Sequence, residues 1–226
     1  MTGAGSGAHA RAVALRVLGR IDGEGAYANL VLGHELERSG LEQRDRGFVT
    51  ELVYGVTRLQ RRLDHLVDPY LLRPVDPKVR AALRLGAYQL HEMGTPAHAA
   101  VSATVDAVGA TKARGLVNAV LRRVAGAAVA GTAWPSDAVR LSYPDWIVDR
   151  LTADLGADDA SGALEAMNDA AAATERPDGY VQDRASQLVA ALAGEGLGAG
   201  SLAADLCAAP GGKATAMAAG GGVVVA

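Results

Sequence analysis

The stretch QRDRGFVTELVYGVTRLQRRLDHLV, residues 43–67, decides how the first half of the chain folds. Within it Phe48, Leu52, Val56, Leu59, Leu63 and Leu66 recur at steps of three and four. That spacing places them on one stripe of an α-helix, because 3.6 residues make a turn. It predicts a single long helix with its apolar stripe buried. Further along, Val101, Val105 and Val108 share the same spacing, as do Val117, Val120, Leu121 and Val124. Pro69, the Pro74 to Pro77 stretch and Gly94-Thr95-Pro96 interrupt these runs, as residues that cannot continue a helix do. Residues 8–125 therefore read as about six helices with short connections, an all-α bundle. Half of the residues are hydrophobic, yet only one is Phe and two are Trp, so the core must be aliphatic.

The bulk numbers exclude several classes. No run approaches the roughly 20 apolar residues of a membrane span. The opening MTGAGSGAHAR lacks a basic segment followed by an apolar one and does not read as a secretion signal, which makes the cytoplasm the expected compartment. A single cysteine rules out internal disulfides and a cysteine-rich zinc site. His9, His34, His65, His91 and His98 show no metal-ligand spacing, so no metal is expected. The net charge of -3 hides an asymmetry. Residues 1–130 hold 17 Lys and Arg against 12 Asp and Glu, whereas residues 131–226 hold 5 against 13. A basic first part and an acidic second part fit either two units with different partners or simply solvated helix faces.

Beyond the helical run, residues 126–135 (GAAVAGTAWP) read as a linker. A helix is expected from Pro144, with Trp146, Ile147 and Leu151 as its apolar face. MNDAAAATERPDGY, residues 167–180, shows no periodicity and reads as loop; helix resumes from Gln182 to Ala193. The run SLAADL at 201–206 then leads into CAAPGGKATAMA, a short strand, a Gly-rich turn and a helix. GGGVVVA opens a second strand, which gives the pattern of a βαβ unit.

Asp205-Leu206-Cys207-Ala208-Ala209-Pro210-Gly211-Gly212-Lys213 is the stretch that bears on chemistry. Adjacent glycines after a strand allow a tight turn and close approach of a ligand to the backbone. A phosphate-binding loop would need Gly at 207 and Ser or Thr at 214, where Cys207 and Ala214 stand, and the dinucleotide fingerprint G-x-G-x-x-G is absent. A nucleoside ligand without a pyrophosphate fits, S-adenosylmethionine first among them; a turn with a purely structural role fits the same residues.

The string DLCAAPGGKAT, residues 205–215, resembles the S-adenosylmethionine motif of the Sun/Fmu (RsmB-type) family of rRNA cytosine-C5 methyltransferases. YVQDRASQLVA, residues 180–190, resembles that family's lead-in helix. RDRGFVTELVYGVTR, GLVNAVLRR and LSYPDWIVDRL resemble the NusB-like domain and connecting helix fused to it. The resemblance implies an α+β multidomain chain. Residues 1–130 would be a NusB-like all-α RNA-binding domain, 131–180 a linker and connecting helix, and 181–226 the incomplete start of a Rossmann-like methyltransferase domain. It implies that Cys207, Ala208, Ala209, Pro210, Gly211, Gly212 and Lys213 bind S-adenosyl-L-methionine, with Asp205 supporting the strand end. The expected partner is RNA, 16S rRNA in this family, with the protein a monomer.

Two departures accompany the resemblance. The family's nucleophilic thiolate and its second cysteine lie downstream of the turn, in Pro-Cys and Thr-Cys dipeptides that these 226 residues do not contain. The catalytic residues are therefore expected downstream of Ala226, as is the acidic residue that in the family caps the second strand and binds the ribose hydroxyls. Cys207 belongs to the turn and reads as a small buried residue, not a nucleophile. The expectation is a C-terminally truncated and inactive methyltransferase; the alternative is a non-catalytic, antitermination-type RNA-binding module. The family's small α/β module before the lead-in helix has no counterpart either, so that module is deleted or two pieces of a longer sequence are joined. Arg44, Arg46, Arg58, Arg61 and Arg62 cluster around one helix and Arg122 and Arg123 end another. They are the candidate RNA contacts, because guanidinium groups pair bidentately with phosphate. Pairing with neighbours such as Glu42 and Asp45 is the other reading of the same residues.

Overall fold

A computed structural model describes residues 4–127, 132–169 and 173–226. The chain divides into two compact units, residues 1–164 and 165–226.

Seven α-helices build the body of the first unit among its described residues: α1 (Ala4–Glu24), α2 (Ala28–Arg38), α3 (Gln43–Arg58), α4 (Gln60–Val67), α5 (Pro77–His91), α6 (Ala97–Val108) and α7 (Arg114–Gly126). A single 3-10 turn, Asp68–Tyr70, follows α4. The long helix expected over residues 43–67 is two helices. The chain bends at Leu59, where φ is -101° and ψ 23°, although Leu63 N–H still donates to the Leu59 carbonyl. No Pro or Gly marks the bend. It is set by what α4 must reach, since Asp64 ties α4 to α5 while Arg61 and Arg62 tie it to residues 140–145. The stripe nonetheless turns inward on both sides of the bend. Leu52, Val56 and Leu63 are fully buried, and Phe48 and Leu59 pack against the core from its margin.

The centre of the bundle is α5, which packs against α1, α3, α4, α6 and α7. Pro77 opens it and the Asp76 carboxylate caps it, accepting from Lys78 N–H at 2.9 Å. Ala81, Ala82, Leu83, Leu85, Ala87, Tyr88 and Gln89 are all buried, so α5 is covered nearly all round. Small residues bring neighbours close. A Cβ on Gly55 of α3 would fall 2.1 Å from Tyr88 Cζ, and one on Gly86 would fall 2.4 Å from Leu121 Cδ1. Thr57 Oγ1 is buried without a hydrogen-bond partner, but the larger polar side chains inside are paired. Arg84 donates to both Asp64 oxygens at 2.7 and 2.8 Å and to Asp22 at 2.9 Å. Arg11 Nε donates to Gln89 at 2.7 Å, and Gln89 in turn donates to Thr104 and to the Leu85 carbonyl, each at 3.0 Å.

Part of the linker expected at 126–135, residues 128–131, lies outside the described residues. The connecting region holds α8 (Asp137–Arg140), α9 (Asp145–Leu155) and α10 (Ala157–Asn168). A helix starts after Pro144 as expected, but Trp146 is 70% exposed and α9 buries no residue. The helix α10 is not foreseen in the sequence; its Ala160 and Leu164 are buried.

The second unit contains the expected short strand, turn and helix, and an unexpected hairpin before them. Strands β1 (Ala173–Glu175) and β2 (Val181–Asp183) pair antiparallel with Thr174 opposite Gln182, where the sequence predicts only loop and the start of helix. Helix α11 runs from Arg184 to Ala193, its first turn capped by Asp183 through Ser186 N–H at 2.9 Å. Then follow β3 (Leu202–Ala204), α12 (Gly212–Ala218) and β4 (Val223–Val225). The strands β3 and β4 are parallel, with Ala203 opposite Val224.

Candidate functional site

The Gly-rich turn lies between β3 and α12. Asp205 continues the pairing of β3, donating its N–H to the Val225 carbonyl at 2.8 Å. Its Oδ1 accepts from Cys207 N–H at 2.9 Å, which starts the turn, while its Oδ2 is buried without a hydrogen-bond partner. Gly211 N–H donates to the Ala208 carbonyl at 2.5 Å and closes the turn. Gly211 itself has φ +109°, in the left-handed region that a side chain would strain, and it has open space around its Cα. Ala209 and Pro210 are exposed, and Lys213 is half-buried in the first turn of α12. Cys207 is exposed, which corrects the expectation of a buried residue. Its N–H donates to Asp205 Oδ1, and Leu206 and Ala209 beside it are exposed as well, while Ala208 is half-buried. At the other end of the unit, Ala226 follows β4 and is exposed. Among the described residues Cys207 is the only thiol.

Gly212 is buried for a different reason. A Cβ there would come within 2.9 Å of Tyr180 Cε1 and 3.0 Å of Gln182 Nε2. Both residues belong to the β1–β2 hairpin, which brings a third residue to the turn. Arg176 is 7% exposed and donates to the Gly212 carbonyl at 2.5 Å. The same guanidinium reaches Gln182 Oε1 at 3.2 Å, pairs with the Asp178 carboxylate and lies 5.0 Å from the centre of the Tyr180 ring. The hydrogen bond from Arg176 holds the Asp178 carboxyl below the usual carboxylate range. Sequence reasoning missed Arg176, Tyr180 and Gln182, although Arg176-Pro177-Asp178-Gly179 has the composition of a tight turn. Gly179 takes φ +82° there, and its N–H donates to the Arg176 carbonyl at 2.9 Å.

The arginines of the first unit separate into two groups. Arg61 donates to the Tyr143 carbonyl at 2.5 Å and pairs with Asp145 at 3.1 Å, and its own N–H donates to Ser142 Oγ. Arg62 binds Glu92 at 2.7 Å and the Arg140 carbonyl at 2.9 Å and lies over the Trp134 ring at 4.9 Å. His65 completes this clasp, with its ring 5.1 Å from that of Trp134 and its Nε2 3.2 Å from the Ala133 carbonyl. Arg58 is half-buried and engaged too. Arg44, Arg122 and Arg123 are instead exposed, and Arg46 is half-exposed at the start of α3. A groove of about 930 Å³ between α6 and α7 is lined by Arg122 together with His98, Ser102, Asp106, Arg114 and Asn118. Arg114 and Asp106 pair across it at 2.7 Å. Among the described residues no group of three or more His, Cys, Asp or Glu is placed to hold a metal ion, and no helix is long and apolar enough to cross a membrane.

A helical bundle centred on one covered helix, followed by a small α/β unit with a parallel strand pair, defines the class of this chain. The sequence matches the NusB family over residues 8–126, and the chain belongs to that family. The Thermus thermophilus protein named ribosomal RNA small subunit methyltransferase B is 46% identical over 147 residues, covering 61% of this chain and 33% of that protein. Its namesake from Pseudomonas putida is 36% identical over 151 residues, covering 63% and 34%. A Mycobacterium tuberculosis protein is 36% identical over 198 residues, covering 80% and 42%. The chain thus spans about a third to two fifths of the length of these relatives. The crystal structure of PH0851 shares the fold, with a TM-score of 0.60 at 16% identity over 99% of this chain and 63% of that one.

Proposed function

We propose that this chain is the N-terminal portion of an S-adenosylmethionine-dependent rRNA (cytosine-C5) methyltransferase, an RNA-engaging helical domain leading into the first elements of a Rossmann-like cofactor domain. The observation that carries the reading is the parallel β3–turn–α12–β4 unit with DLCAAPGGK at its turn. Ligands of open α/β sheets sit at the carboxyl ends of the strands, where this turn lies. The residues suit the cofactor. Gly211 leaves its Cα side open, and the buried Asp205 Oδ2 is an acceptor in want of a donor, such as an ammonium or a hydroxyl group. Cys207 through Lys213 would hold the methionine and ribose parts, and the cofactor would supply the methyl group. Likeness to relatives named for methylating small-subunit ribosomal RNA favours 16S rRNA as substrate, in the cytoplasm.

Attack at cytosine C6 needs a thiolate, and a second thiol assists the later elimination. The 226 residues carry one, Cys207, inside the turn that would hold the cofactor. Residues 1–226 by themselves therefore do not complete the reaction. Tritium transfer from S-adenosylmethionine to small-subunit rRNA tests this. No transfer by the 226-residue chain, and transfer by a version extended beyond Ala226 with a relative's downstream sequence, is expected. Robust transfer by the chain alone would overturn the two-thiol reading. RNA binding with no cofactor response in either version would favour a non-catalytic RNA-binding module.

A further inference from the structure

We propose that Arg176 is a positioning residue for the Gly-rich turn, setting from the β1–β2 hairpin the backbone that a cofactor would meet. The inference rests on the cofactor reading of residues 205–213 and adds a residue from outside them.

A guanidinium offers five N–H donors in a rigid plane, and burying it is costly unless those donors are used. Arg176 is more than nine-tenths buried, and its donors are spent in two directions. Toward its own hairpin, Nε donates to Asp178 at 3.0 Å and Nη1 to Gln182 at 3.2 Å. Toward α12, Nη1 donates to the Gly212 carbonyl at 2.5 Å, and both Nη atoms stand 3.4 Å from Thr215 Oγ1. Thr215 Oγ1 in turn donates to the Gly211 and Gly212 carbonyls at 3.0 and 3.1 Å. The peptide planes that follow Gly211 and Gly212 are thus fixed from one side by Arg176 and Thr215.

Tyr180 completes the arrangement. It stacks on the guanidinium and puts its ring edge against Gly212, where no side chain could fit. The effect on a ligand is indirect, because a carbonyl held in place fixes the N–H on the other side of the same peptide. Lysine could supply the charge but not the planar fork that spans Asp178 and Gly212 together.

Residue-resolved amide exchange on the 226-residue chain tests this, in wild type, Arg176→Ala and Arg176→Lys, with and without S-adenosylmethionine. Both variants are expected to speed exchange at residues 211–216 by roughly tenfold or more while α5 exchanges as in wild type. Arg176→Lys is expected to keep wild-type exchange in β1 and β2, yet to weaken the cofactor-induced shifts at Gly211 to Lys213. Unchanged exchange at the turn in Arg176→Ala would overturn the proposal, as would cofactor shifts of wild-type strength in both variants. Absence of any cofactor response in the 226-residue chain and in the version extended beyond Ala226 alike would overturn the cofactor reading, and exchange in the free protein would still decide the role of Arg176.

Discussion

Tyr88 of α5 lies against the backbone of Gly55 in α3, so close that a methyl group on Gly55 would overlap its ring. The Tyr88 hydroxyl meanwhile donates to Glu51 one turn earlier on α3, so the ring cannot swing away without losing that bond. Gly55→Ala should therefore destabilise the first unit, although alanine is the better helix former by about 1 kcal/mol. Overpacking costs about 1–3 kcal/mol, and the net loss should read as a lowered urea midpoint with unchanged slope. Gly86→Ala, which meets Leu121, should behave alike. Gly47→Ala in α3, with open space around it, is the control and should gain stability.

Among the described residues Arg11 has no carboxylate partner. Its charge is held by Gln89 Oε1, by the Gly7 carbonyl at 2.9 Å and by the face of Phe48 at 4.8 Å. Burial accordingly pushes its pKa down from the ordinary arginine value. Gln89→Leu keeps the volume but leaves a charged donor and the Thr104 hydroxyl without their shared partner. A loss of roughly 1.5–3 kcal/mol is expected in chemical denaturation, and Gln89→Glu should recover more of it than Gln89→Leu. A neutral effect of Gln89→Leu would show that water reaches Arg11.

His91 at the end of α5 is half-buried, and burial lowers its pKa below the ordinary value of about 6.5. The unfolded chain then binds the proton more readily than the folded one. Stability from this group is complete above about pH 6.5 and declines as pH falls from there toward the depressed folded value. Melting temperatures at pH 7.5 and 5.5 should differ more for wild type than for His91→Gln; an equal difference would assign the acid sensitivity to other groups.

How legible this was in the sequence varies with the origin of each feature. The burial of Leu52, Val56 and Leu63 follows from a helical period that packing reinforces. The bend at Leu59 does not, because it is imposed by partners as distant as Tyr143 and Arg84. The hairpin at 173–183 is invisible to periodicity because three-residue strands are too short to show alternation. The turn at 207–213 was readable since Gly211 must adopt a positive φ, whereas the arginine that braces it lies 36 residues from Gly212. Charge alone could not separate the arginines. Arg61 and Arg122 look equivalent in sequence, yet one holds the chain near Tyr143 and the other is exposed.

That division among the arginines gives the last prediction. Arg61 and Arg62 contact residues 140–145 and Trp134, so replacing them with Ala should speed exchange in α8 and the start of α9 and lower stability. Their contribution to RNA affinity should be small, since donors engaged by carbonyls and carboxylates are not offered to phosphate. Arg122→Ala with Arg123→Ala should leave the fold intact, because both side chains are exposed on α7. Each phosphate contact with a single strand contributes about 0.7 to the slope of log affinity against log salt. The double variant should therefore lower the slope by about one unit or more for a single-stranded rRNA fragment. Fluorescence anisotropy between low and moderate salt measures both effects on the same RNA fragment. A slope that falls for Arg61→Ala and Arg62→Ala, and stays put for the α7 pair, would place the RNA on the clasp instead. The present geometry argues against that outcome, because RNA would have to displace Tyr143, Asp145 and Glu92 from guanidinium groups they already occupy.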